Sequence, residues 1–138
     1  MEINPAYITF EQARLLKEKG IKFNCDNNWE EGKRSTTPDI WKLNGYGEAA
    51  TNYYPAPEQW QVVEWLRLTH GIWVSVDWMK RIKPYNSGFY CHLRGTNKSL
   101  NRDNFIVIND TLNPGYEVFN SPTEAYEAAI EYILNNLI

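Results

Sequence analysis

Cysteine is scarce: Cys25 and Cys91 are the two thiols in 138 residues. Two are too few for a disulfide scaffold, and the usage fits a reduced cytoplasm. No stretch approaches the roughly 20 apolar residues that a membrane-spanning helix needs, so no membrane partner is expected. The start, MEINPAYITF, has neither a basic n-region nor an apolar h-region, so no secretory leader is expected. There is no glycine-rich phosphate loop, no HExxH, no G-x-S-x-G and no paired-carboxylate signature. A strong excess of one charge is also missing. Fourteen Lys and Arg stand against seventeen Asp and Glu, a net charge of −3. Together with 43% hydrophobic residues this excludes a disordered chain. The overall acidity argues against tight non-specific DNA binding, which goes with a basic domain, and sequence-specific nucleic acid is not expected either.

What is present reads as one domain over 1–138, since domains cluster near roughly 100–150 residues. Such a chain buries about two-thirds of its unfolded surface. Three helices carry their own punctuation. Thr9 with Gln12 has the spacing of a capping box, Phe10, Ala13 and Leu16 give the apolar stripe, and Gly20 is placed to close the helix in a Schellman motif. A second helix is expected over 57–70, with Pro57 at its first position and Gly71 after its end. Its stripe reads Trp60, Val63 and Leu66, widened by Val62 and Trp65. The third opens on Ser121-Pro122-Thr123-Glu124, another capping box. Glu124, Glu127, Glu131 and Asn135 line its solvent side; Ala125, Ala129, Tyr132, Ile133 and Leu137 line its core side.

Between the second and third helices the period changes to two. Ile72, Val74, Val76 and Trp78 alternate with Trp73, Ser75, Asp77 and Met79; Phe89, Cys91 and Leu93 alternate with Tyr90, His92 and Arg94. An apolar run at 105–108 and a segment at 116–119, after Asn113-Pro114-Gly115, read as two more strands. Short connections favour an antiparallel meander of about four strands, packed by the three helices, in an α+β fold. Residues 22–56 read as an irregular, aromatic-rich insertion, with a hairpin expected around Asn44-Gly45.

The strongest functional signal is an asymmetry of charge. Positions 78–102 hold no Asp or Glu but six cations: Lys80, Arg81, Lys83, Arg94, Lys98 and Arg102. That stretch is +6, and the remaining eight cations against seventeen acids make −9, which together recover −3. Tyr85, Phe89 and Tyr90 are interleaved. Such a surface would hold an acidic protein or a phosphate, with rings to stack on a base. Equally, six solvated cations keep a sheet edge soluble and resist strand addition. If helices cover one face of the sheet only, Trp73 is exposed with Tyr90 and His92, and such patches mark interfaces. Trp60 and Trp78, on the apolar sides of their elements, are expected in the core.

Catalytic signals are thin. Cys91 and His92 are neighbours on a strand, so their side chains leave opposite faces and cannot work as nucleophile and base. His70 sits at a helix C-terminus and reads as a partner of the helix dipole. Asp77 reads as a solvent-facing strand residue near Lys80 and Arg81. Cys25, His70, Cys91 and His92 lack the closely spaced ligand pairs of a zinc site. No catalytic residue, metal or cofactor is expected.

Three blocks, YITFEQARLLKEKG, YYPAPEQWQVVEWLRLTHGIWVSV and SPTEAYEAAIEYILNNLI, resemble a family of small uncharacterised proteins encoded by phages and prophages of gut bacteria. The resemblance spans about half the chain, leaving out 22–50 and 80–115, and brings no activity or catalytic residue with it. It implies a small accessory role inside a bacterial host, hence the bacterial cytoplasm. The reading is therefore a non-enzymatic protein that binds a protein partner, a host protein or a second copy. The candidate surface comprises Lys80, Arg81, Lys83, Arg94, Arg102, Trp73 and Tyr90. The alternative is a module for a nucleotide or other small anion at a basic, aromatic site.

Overall fold

Contacts divide the chain into two units, Met1–Gln59 and Trp60–Ile138. The computed structural model describes residues 5–23, 25, 28–30, 33–35, 53–95, 105–108 and 118–138. Among these are three helices and two antiparallel sheets of three strands each, an α+β fold.

In the first unit, helix α1 (Phe10–Glu18) is delimited by its own side chains. The Gln12 N–H donates to Thr9 Oγ1 at 3.1 Å, and the Thr9 N–H donates to Gln12 Oε1 at 3.2 Å, closing the capping box. At the other end Ile21 N–H donates to Leu16 O at 2.9 Å and Gly20 N–H to Lys17 O at 3.0 Å. These are the two bonds of a Schellman motif, with Gly20 at φ +74°. The buried side of α1 is Gln12, Ala13 and Leu16, beside the fully buried Ile8.

Residues 22–56, read as irregular from sequence, contain β1 (Asn28–Glu30), β2 (Lys33–Ser35) and β3 (Tyr53–Pro55) in the order β2-β1-β3. Each strand has three residues, too few for alternation to be legible, and aromatic rings pack on β1 and β3. The Trp29 indole N–H donates to Ile8 O at 3.1 Å. Phe10 meets Trp29 and Tyr54 edge-on at 6.0 and 5.2 Å between centroids, and the Lys17 ammonium lies 4.7 Å over the Tyr54 ring. The hairpin expected around Asn44-Gly45 lies outside the described residues.

Helix α2 (Gln59–His70) starts two residues later than its proline signal. The backbone at 57–59 is engaged elsewhere: Ile8 N–H donates to Pro57 O at 3.2 Å, and Gln59 N–H to Ala6 O at 2.8 Å. Gln59, Val62 and Leu66 are buried, so Trp60, expected in the core, is 63% exposed.

The second unit is built on β4 (Ile72–Met79), β5 (Gly88–Gly95) and β6 (Phe105–Val107), paired in consecutive antiparallel order. This is the expected meander. The segment foreseen as its fourth strand is described only from residue 118. Phe119 exchanges two backbone bonds of 2.9 Å with Phe89, so it lies against β5 rather than beyond β6. Helix α3 (Pro122–Asn136) covers one face of the sheet. The Glu124 N–H donates to Ser121 Oγ at 3.2 Å, while the Glu124 carboxylate accepts from the Asn120 N–H at 3.0 Å, one residue further back than a standard capping box. Ala125, Ala129, Ile130, Ile133 and Leu134 are buried, as are Ile72, Cys91 and Leu93. Each large aliphatic side chain there contributes about 1.5–3 kcal/mol.

Gly95 closes the ladder opposite Ile72 with φ +148°, and a Cβ there would run into the Gly71 carbonyl oxygen. Neither backbone can move aside without breaking the first rung. Gly20→Ala, in open space at φ +74°, is expected to cost about 1–2 kcal/mol. Gly95→Ala is expected to cost at least about 3 kcal/mol, near 10 °C in Tm. Thermal unfolding of both variants checks this; equal losses would refute the close approach at Gly95.

Candidate functional site

The register of β4 against β5 decides what the sheet shows to solvent. Eight pairs run from Ile72↔Gly95 to Met79↔Gly88. Opposed residues share a face. Val74↔Leu93 and Val76↔Cys91 look toward α3, where the Cys91 Sγ–H donates to Ala125 O at 3.3 Å. The other face carries Trp73↔Arg94, Ser75↔His92 and Asp77↔Tyr90. Tyr90 and His92 stack on it with centroids 6.0 Å apart. The Arg67 guanidinium lies 5.5 Å over the Trp73 ring and is ion-paired to Glu64. Trp73 is exposed, in agreement with the sequence reading, and so are Asp77 and Arg94.

Burial pushes the His92 pKa below the ordinary imidazole value; the Arg94 charge adds to this and Asp77 opposes it. Cys91 and His92 leave opposite faces of β5, so the thiol and the imidazole form no catalytic pair. Burial pushes the Cys91 thiol up to about 12, which removes the thiolate on which reactivity depends. Among the described residues no three His, Cys, Asp or Glu side chains gather as a metal site.

The basic cluster lies at the other end of the ladder. Residues 80–87 connect β4 to β5 and fold on themselves: Arg81 N–H donates to Ser87 Oγ at 2.7 Å, and Tyr85 N–H to Ile82 O at 3.1 Å across the cis Lys83–Pro84 peptide. Lys80, Lys83 and Tyr85 are exposed and Arg81 is half-buried. Ile82 is 87% exposed at the tip. Trp78, expected in the core, is 56% exposed. Its position explains the difference: Ala125, near the start of α3, reaches Cys91, the partner of Val76, and Trp78 lies two residues further toward the tip. Trp78, Lys80, Ile82, Lys83 and Tyr85 thus form an apolar tip among cations. Ile82 was missed by sequence reading, although a lone β-branched residue between Arg81 and Lys83 was its signal.

The residues singled out from sequence therefore separate into two groups. Lys80, Arg81 and Lys83 lie at the tip, Trp73 and Arg94 at the opposite end, and Tyr90 between them. At about 3.4 Å per residue, the six steps from Trp73 to Met79 put roughly 20 Å between the ends. Arg102 and Lys98 lie outside the described residues. No helix among the described residues is long and apolar enough to cross a membrane. No family model, curated protein or solved structure matches the chain.

The buried thiol has a measurable consequence. A folded-state pKa of about 12 against an ordinary 9.0 means that the folded chain holds this proton more tightly than the unfolded one. The contribution is complete below about pH 9 and is lost as pH rises toward 12, at up to about 1.4 kcal/mol per pH unit. Urea unfolding between pH 9 and 11 should therefore show wild type losing stability more steeply than Cys91→Ala. Parallel slopes would mean that the thiol is not buried against α3.

Proposed function

We propose that this chain is a non-enzymatic binding protein whose β4–β5 hairpin tip docks onto an acidic surface of a protein partner. The single observation that carries the reading is the tip itself. Ile82 at 87% exposure and Trp78 at 56% leave apolar surface to solvent in the same stretch as the exposed Lys80, Lys83 and Tyr85. Interfaces concentrate energy in a few apolar and aromatic anchors, while surrounding charges steer the encounter. In this reading the chain is a small phage-like accessory protein acting in the bacterial cytoplasm, where the partner is a host protein.

Immobilised chain should retain a partner from bacterial lysate, with retention falling between 50 and 300 mM salt because exposed charge pairs are screened. The triple variant Lys80→Glu, Arg81→Glu, Lys83→Glu should abolish retention, and Ile82→Asp should weaken it at least tenfold. Both should keep Tm within about 3 °C, since exposed substitutions cost little. Retention that survives both variants would reduce the tip to a solvated hairpin.

A second reading, a nucleotide or other small anion held on the open sheet face, draws on the Trp73↔Arg94 pair beside the Tyr90–His92 stack. A ligand at 100 times its Kd adds about 2.7 kcal/mol, several degrees for this chain. On this reading a nucleotide, but not inorganic phosphate, raises Tm by that amount, and Arg94→Ala removes the shift. A flat response to a panel of nucleotides disposes of it.

A further inference from the structure

The open face of the β4–β5 ladder sorts its chemistry by position. At one end Asp77 stands opposite Tyr90, and Tyr90 stacks on His92. At the other end Arg94 stands opposite Trp73, and the Arg67 guanidinium, ion-paired to Glu64, lies 5.5 Å over the same indole. Ser75, opposite His92 on the rung between, is the one small side chain of the face. It leaves room between the Trp73 ring and the Asp77 carboxylate. Asp77 and Arg94 are both exposed, and among the described residues no ion pair occupies Asp77.

We infer that this face takes a guanine nucleotide carrying two or more phosphates, with the base over Ser75, its N1–H and N2 amine on Asp77, and its phosphates on Arg94. The inference rests on the nucleotide reading of this face and names the base. Selection among bases follows from the carboxylate. An ionised carboxylate only accepts hydrogen bonds, and it accepts two side by side. Guanine is the one common base whose pairing edge sets two donors next to each other. Adenine and cytosine present an amino group beside a ring-nitrogen acceptor, and uracil one N–H between two carbonyls. Each of these turns a lone pair toward Asp77. Tyr90 and His92 supply the flat surface on which a purine stacks.

Selection for the phosphates follows from length. The four steps from Asp77 to Trp73 cover roughly 14 Å along the strand. A nucleoside held by its base edge at Asp77 falls short of that, and a chain of phosphates brings negative charge to the Arg94 guanidinium, whose planar fork suits bidentate contact with phosphate oxygens. Inorganic phosphate has the charge without the base and makes none of the contacts at Asp77. The hairpin tip has no part in this arrangement, because Lys80, Arg81 and Lys83 lie beyond Asp77, at the end away from Arg94.

Isothermal titration of the full chain with guanosine diphosphate (GDP), adenosine diphosphate, inosine diphosphate and inorganic phosphate tests this. GDP is expected to bind about tenfold or more tightly than adenosine diphosphate, and than inosine diphosphate, which lacks only the N2 amine. Arg94→Ala should weaken GDP by about tenfold. The decisive variant is Asp77→Asn. Its amide sets an acceptor beside a donor, the complement of xanthine, which carries a carbonyl where guanine has the N2 amine. Preference should therefore pass from GDP to xanthosine diphosphate, an exchange that loss of structure cannot imitate. The triple charge reversal at the tip should leave GDP binding at its wild-type level. Equal affinity for GDP and adenosine diphosphate, a guanine preference that survives Asp77→Asn, GDP affinity unchanged by Arg94→Ala, or loss of GDP binding on reversal at the tip would each overturn the inference and leave a nucleotide reading standing. Binding of no nucleotide at all would remove both.

Discussion

Because side chains alternate across a strand, the pairing Val76↔Cys91 settles the direction of every residue on β4 and β5. It turns Cys91 and Leu93 into the interior, where α3 closes over them with Ala125, Ala129, Ile130 and Ile133. It turns Trp73, Asp77, Tyr90, His92 and Arg94 outward together. A slip of β5 by one residue would bury His92 and Arg94 and expose Cys91 and Leu93, at the cost of a charge in an apolar interior. The Cys91 thiol bonded to the Ala125 carbonyl is the point at which sheet and helix are held in that relation.

The same register separates two kinds of surface. At the ladder's far end Arg94 and Trp73 face each other, with Arg67 over the indole and Glu64 ion-paired to Arg67. At the tip the cations have no acid within the stretch 78–102 to balance them. Acid is concentrated instead on the outer side of α3, where burial and the neighbouring Glu131 and Glu124 push the Glu127 carboxyl above the ordinary range. The second unit therefore carries a basic hairpin and an acidic helix, the kind of charge division that gives a surface a directional field.

Legibility from sequence followed the length of each signal. The caps of α1 and α3 were readable because a side chain three residues away does the capping, and the β4–β5 alternation because eight residues show a period of two. The strands at 28–30, 33–35 and 53–55 were not, since each has three residues, and the first and last are packed by the rings of Trp29, Tyr54 and Phe10, which meet across the sequence. Trp60 and Trp78 were misplaced for a related reason. Periodicity names the apolar side of an element but not how far its covering partner extends, nor which of two overlapping stripes is buried. The candidate site was legible as a charge asymmetry along the chain. Its division into a tip and a far end depended on a pairing register that composition does not contain.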